Sequence, residues 1–270
     1  ILLKKKIMKA DTKIFGCIAD PINHVKAPTV FTKMFQEQKI NAIMIPINVS
    51  LENLESFFSG IKSFKNFVGM TVTIPHKTNV LKYCDHLEKE AIDTGSVNWI
   101  KIENKQLIGT NFDGVGFVDG LNNKNLIIEN KDFAIFGIGG AGASICYSLL
   151  RNKARRLKLI NRDPNKLSLL ANKLNNLKSN TEILIDDFRD YDISEYDYVI
   201  NATSLGLKDN KDLIFDVTKT KIDCTIIDIV MDPEETILIK EAIKHKRNYH
   251  LGKNMLVSQI KLAGNFFNLW

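Results

Sequence analysis

Short apolar runs alternate with runs of helical period from one end of the chain to the other, and no internal repeat or low-complexity tract interrupts them. A chain patterned this way builds βα units, with strands buried on both faces and crossover helices covering the sheet. The fold class is therefore α/β. In the first part, strands are predicted over 13–18, 42–47 and 67–73, helices over 29–38 and 51–64, further helices between 76 and 92, and a hairpin over 97–108. In the second, strands are predicted over 132–136, 157–160, 182–185, 197–201 and 225–229, with a last helix over 254–270. The polar stretch Asn122-Asn123-Lys124-Asn125 favours turns and marks the boundary. The expected domains are residues 1–121, with the helix 254–270 packing back on them, and residues 122–253. At 270 residues the chain fits about two domains of ~150 residues.

Composition narrows the function classes. With 44% apolar and 25% charged residues, the chain sits away from the apolar-poor, highly charged range of disordered segments. No apolar run approaches the ~18–20 residues that cross a bilayer. The start, Ile1 to Ala10, carries Lys4, Lys5 and Lys6 without the apolar core of a signal peptide. A cytoplasmic protein without a membrane partner is expected. The net charge is +6, yet the lysines are dispersed instead of clustered with aromatics, which argues against a nucleic-acid partner. Cys17, Cys84, Cys146 and Cys224 are far apart and read as buried thiols. The five histidines, at 24, 76, 86, 245 and 250, show no metal-ligand spacing, so no metal is assigned.

The second part opens with an apolar strand, Asp132 to Phe136, that runs into Gly137-Ile138-Gly139-Gly140-Ala141-Gly142 and then a helix through Leu150. This is G-x-G-x-x-G in its confirming context of strand, glycine turn and helix start. Such glycines permit a tight turn and close approach of a pyrophosphate to helix-terminal N–H groups. Gly137, Gly139, Gly140 and Ala141 are accordingly candidate cofactor residues. The next strand ends in Asn161-Arg162-Asp163, roughly where a doubly wound sheet of the Rossmann type reads the adenosine ribose. Arg162, with Lys166 one turn on, suits the 2′-phosphate of NADP. Asp163 would suit the free hydroxyl of NAD unless it turns away to cap the next helix. The balance favours NADP and leaves NAD open.

Several further motifs follow in a fixed order, and together they resemble the shikimate/quinate dehydrogenase family from about Lys13 onward. Gly69-Met70-Thr71-Val72-Thr73-Ile74-Pro75-His76-Lys77 resembles G-x-N-V-T-x-P-x-K, and Gly95-Ser96-Val97-Asn98 resembles G-A-V-N. Gly109 to Gly116 resembles G-x-N-T-D-G-x-G, Asn201 to Gly206 resembles N-A-T-S-x-G, and Gly252 to Gln259 resembles G-x-x-M-L-V-x-Q. The resemblance implies an N-terminal α/β substrate domain and a C-terminal Rossmann domain. It also implies an NADP-dependent oxidoreductase of shikimate or quinate, with Lys77 catalytic and Asp113 its partner. Thr73, Asn98 and Gln259 would orient the substrate's hydroxyls. Asn161, Arg162, Thr203, Gly252 and Met255 would face the cofactor, although periodicity alone makes Met255 a core residue. A small-molecule substrate is implied, and a homodimer is left open.

The departures fall at one end of the implied substrate pocket. The family's opening G-D-P-x-x-H-S-x-S-P holds a carboxylate with two serines, but here Ala19 to Pro28 places Val25 and Ala27 at those positions. Thr71 stands in place of asparagine, Trp99 of threonine and Met231 of a substrate-contacting tyrosine. Two lost hydrogen bonds to a charged group remove about 3–6 kcal/mol, a factor on the order of 10² to 10⁴ in kcat/KM, unless Lys26 or His24 compensates. Two alternatives stay open beside shikimate: the same cofactor chemistry on another cyclic polyol, and a non-catalytic nicotinamide-binding sensor.

Overall fold

Strand Lys13–Ala19 (β1) is buried along most of its length because parallel neighbours flank it on both sides, Ala42–Asn48 (β2) and Phe67–Val72 (β3). The computed structural model describes residues 8–23, 25–207 and 212–269. It divides into two compact units, one comprising the chain up to Asn111 together with Ala263 onward, the other Phe112–Leu262.

In the first unit the sheet order is β2-β1-β3-β5-β6-β4, with His86–Leu87 (β4), Trp99–Glu103 (β5) and Gln106–Thr110 (β6). β5 and β6 form the predicted hairpin, displaced two residues towards the C-terminus, around Asn104 and Lys105. Both turn residues have positive φ, 51° and 63°, as a two-residue turn matching the strand twist requires. Helix Ala27–Glu37 (α1) buries Phe31 and Phe35, and helix Leu54–Ile61 (α2) buries Leu54, Phe58 and Ile61. The segment expected as helices between 76 and 92 is mostly not helical. Asp85 accepts the Leu107 N–H (2.7 Å) and donates its own N–H to Leu107 O (2.8 Å), which draws 86–87 into the sheet. Only Lys89–Thr94 (α3) remains an α-helix there, ended by Gly95 in the left-handed region (φ 61°).

The second unit holds Asp132–Phe136 (β7), Arg156–Asn161 (β8), Glu182–Asp187 (β9), Tyr198–Asn201 (β10), Thr225–Asp228 (β11) and Asn248–Leu251 (β12). All pairs are parallel and the order is β12-β11-β10-β7-β8-β9. Renumbered from β7, this is 3-2-1-4-5-6, the doubly wound order, with its switch point between β7 and β10. Asp113–Asn122 (α4), Gly140–Arg151 (α5), Pro164–Asn175 (α6) and Ile237–Lys244 (α7) cover the sheet with Lys253–Phe266 (α8).

The compact units divide between Asn111 and Phe112, whereas the expected boundary lies at 121/122. α4 belongs with the second unit because its glycines admit neighbouring backbone: a Cβ on Gly114 would lie 2.0 Å from Ser144 O of α5, and one on Gly116 3.2 Å from Met255 O of α8. The final helix also divides: Met255 and Ser258 are buried in the second unit, while Phe267, just beyond α8, packs edge-on against Phe15 and Trp99 of the first. Trp270, the end of the expected helix, lies outside the described residues.

Candidate active site

At the carboxyl end of the first unit's sheet, four of the sequence-derived residues are tied by hydrogen bonds. The Thr73 N–H donates to Ile18 O (3.1 Å) at the end of β1. Thr71 Oγ1 donates to Asn98 O (3.0 Å), which also accepts the Val72 N–H (2.8 Å). Lys77 O accepts the Val97 N–H (2.8 Å), so the turn bearing Lys77 is pinned beside Asn98, just before β5. Thr71 thus spends its hydroxyl on placing Asn98. The Asp20 N–H donates to Ile74 O (3.3 Å), bringing the segment that leads to Val25 and Ala27 to the same end of the sheet. Both of these are half-buried and Lys26 is exposed, whereas His24 lies outside the described residues.

His76, beside Lys77, is fully buried and its Nε2–H donates to Val49 O (2.7 Å), fixing the proton on that nitrogen. Trp99 fills the core between Phe31 and Phe267. Its position in the first unit's packing accounts for an aromatic residue there.

In the second unit, Asp113 opens α4, is buried, and accepts a hydrogen bond from Gln259 Nε2 of α8 (3.1 Å). The two residues stand 146 apart in sequence and come from separate motifs. Met255, on the same helix, is a member of the hydrophobic core with Phe117 and Leu121, as its periodicity implied. Gly252 is required by close packing, since a Cβ there would lie 2.6 Å from Ile229 O.

The glycine turn meets the demands of a pyrophosphate cradle. Gly137 has φ 87° and a Cβ on it would lie 2.6 Å from Thr203 Cγ2. Gly142 approaches Gly137 O so closely that a Cβ would sit 2.0 Å away. Around Gly139, by contrast, a Cβ would meet nothing within 4 Å. That position, the N-cap of α5, leaves open space in front of helix-terminal N–H groups, and Gly140 and Ala141 begin the helix behind it. A dinucleotide's diphosphate fits there. At the end of β8, Asp163 accepts the N–H groups of Asn165 (3.0 Å) and Lys166 (3.2 Å) and so caps α6, while Arg162 and Lys166 are exposed beside Asn161.

One arrangement at the ends of β10 and β11 is not legible as a motif. Asp228, which is buried, accepts from Asn201 Nδ2 (3.0 Å), Val230 N–H (3.0 Å) and Thr236 Oγ1 (2.7 Å). Burial pushes its carboxyl up to about 6 against these three bonds. The preceding apolar strand signalled only β-structure. Met231, three residues on, is 40% exposed. Burial also pushes the thiols of Cys17, Cys84, Cys146 and Cys224 up to about 12, which makes them poor nucleophiles.

A doubly wound sheet with a glycine cradle, joined in one chain to a second α/β unit bearing Lys77, defines the class: a two-unit protein built to hold a dinucleotide. Comparison with known proteins narrows it. Residues 17–100 match the family model described as the shikimate dehydrogenase substrate binding domain. The chain is 34% identical to shikimate dehydrogenase (NADP(+)) of Methanococcus maripaludis strain C7, covering 98% of this chain and 93% of that one. It is similar to a solved shikimate dehydrogenase in complex with NADP+, at 30% identity and TM-score 0.89, over 97% of this chain and 91% of that one. It is also similar to a ligand-free 5-ketofructose reductase of Gluconobacter strain CHM43, at 25% identity and TM-score 0.85, over 95% and 92%. The chain belongs to the shikimate dehydrogenase family.

Proposed function

We propose that this protein is an NADP-dependent shikimate dehydrogenase, interconverting shikimate and 3-dehydroshikimate. The observation that carries the reading is the Asp113–Gln259 hydrogen bond: two motif residues to which the family assigns the substrate end meet in the folded chain at 3.1 Å. When bound, NADP supplies the hydride acceptor, its nicotinamide carbon. The residues of the chain do the remainder. Lys77 takes the proton of the alcohol oxygen during oxidation and returns it during reduction, so that alcohol becomes ketone with loss of one hydride and one proton. On the resemblance, Asp113 is the acidic partner of Lys77 in this proton transfer, and Thr73, Asn98 and Gln259 orient the ring hydroxyls. The cradle at Gly137, Gly139, Gly140 and Ala141 receives the diphosphate. Arg162 and Lys166 pair the 2′-phosphate, a reading supported by the commitment of Asp163 to capping α6. Thr203, Gly252 and Met255 belong to the cofactor side on the resemblance alone.

A second reading keeps this chemistry on a polyol or ketosugar without a carboxylate. Val25 and Ala27 favour it, since neither offers a hydroxyl, and so does the likeness to a reductase of 5-ketofructose, which carries no carboxylate. Retention of Lys77 and Asp113 argues against a non-catalytic sensor. The dispersed charge supports a small-molecule enzyme without a nucleic-acid partner. No helix among the described residues is long and apolar enough to cross a membrane, and a cytoplasmic enzyme, with a homodimer as the assembly to test by sedimentation, fits this reading.

The test is optical: reduction of NADP, and separately NAD, with shikimate, quinate and then uncarboxylated polyols, against a Lys77→Ala control. Turnover of shikimate that falls about 10²–10⁴-fold in the control is expected for a lost acid–base group. Turnover restricted to uncarboxylated polyols selects the second reading, and turnover indifferent to Lys77→Ala removes the mechanism.

A further inference from the structure

Asp228 is a buried carboxylate that the chemistry above does not use. Its three donors belong to three segments: Asn201 ends β10, Val230 opens the loop to Met231, and Thr236 caps α7 by accepting the Ile239 N–H (3.3 Å). Asn201 is in turn the hub of the loop that follows it. Its Oδ1 accepts both the N–H (3.0 Å) and the Oγ1 hydroxyl (2.7 Å) of Thr203, and its Nδ2 makes a second bond to Leu205 O (3.0 Å). Thr203 Oγ1 accepts the Leu205 N–H (3.1 Å), and the Thr203 methyl sits against Gly137, the first glycine of the cradle. Contacts therefore run without a gap from Asp228 through Asn201 and Thr203 to Gly137.

An asparagine amide can turn over, exchanging its oxygen and nitrogen. In one orientation Asn201 Oδ1 faces the two Thr203 donors. In the other its Nδ2 faces them and both bonds are lost. The Thr203 N–H and Leu205 O favour the first orientation from within the loop itself, and Asp228, a carboxylate that can only accept, favours it from outside the loop and ties the loop to the end of β11. We propose that Asp228 is a positioning residue for the cofactor: by fixing the orientation of Asn201 it locks Thr203 against the glycine cradle. This rests on the reading of the second unit as the NADP-binding unit.

The test uses the full chain and measures NADPH binding by the fluorescence of the nucleotide, separately from turnover. Asp228→Ala raises the NADPH Kd and the KM for NADP about tenfold, with kcat and the KM for shikimate within about threefold of wild type. Asp228→Asn keeps the Oδ1 acceptor, and the rotatable Thr236 hydroxyl accepts from the new amide, so Kd stays within about threefold. Asn201→Ser, which removes the amide that donates to Asp228, reproduces the tenfold loss and serves if Asp228→Ala does not fold. A role confined to stability would lower the thermal midpoint while leaving the Kd of the folded variants unchanged, and that result overturns the proposal. Failure of the wild type to bind either NADPH or NADH overturns the cofactor reading itself, and this proposal with it.

Discussion

Burial moves two titrating side chains of the second unit in opposite senses. His250, on β12, is held at about 4 by burial, with Lys124 adding to the effect, against about 6.5 in an unfolded chain. Its neutral form is therefore favoured by folding. The stability it contributes is fully present above pH 6.5 and is lost as pH falls towards 4, up to about 3 kcal/mol. Asp228 works the other way: raised to about 6, it favours the folded state below about pH 4 and loses that contribution as pH rises through 6. In His250→Gln the difference in urea midpoint between pH 7 and pH 4.5 shrinks relative to wild type, with Asp228 common to both. An unaltered difference would show that His250 titrates normally. The cradle glycines were legible from the strand, turn and helix around them, whereas Lys77 and Asp113 were singled out by the resemblance of their motifs. The role of Asp163 was not, since Arg162 and Asp163 imply opposite cofactors until the capping bonds decide between them.

Elements follow the apolar pattern except where packing overrides local preference. α4 contains Gly114, Gly116 and Gly120, each costing roughly 1 kcal/mol of helix propensity relative to alanine, so local propensity alone does not predict a helix there. Its formation depends on what those glycines admit. Gly114→Ala would drive a methyl to 2.0 Å from Ser144 O, and the expected loss is about 1–3 kcal/mol or more, seen as a lower thermal midpoint. Gly60→Ala in α2 is the control, because its Cβ meets nothing within 4 Å. Relief of backbone entropy there raises stability by about 0.4–1 kcal/mol. Equal effects at the two sites would show that α4 and α5 are not packed as described. β4 is the converse case, a two-residue strand that no pattern announces and that the bonds between Asp85 and Leu107 create.

Across the whole molecule, the chain returns to its first unit only at its end. Phe267 is 7% exposed, with ring centroids 5.0 Å from Phe15 and 5.8 Å from Trp99. Phe267→Ala is expected to destabilise the first unit by about 3–5 kcal/mol, measurable as a lower urea midpoint, whereas a change under about 1 kcal/mol would show that the C-terminus is not an anchor. The α/β class, the position of nearly every strand and the glycine turn were legible in the chain alone, while the pairing of Lys77 with Asp113 came from resemblance of two separate motifs. Each of the first three is encoded by residues within a few positions of one another, through alternation or turn chemistry. The folded chain adds that α4 belongs with the second unit, that Gln259 reaches Asp113, and that Asp228 accepts from Asn201. These depend on close approach between segments distant in sequence, where a glycine's missing side chain or the direction of a single hydrogen bond counts, and no local pattern carries that information.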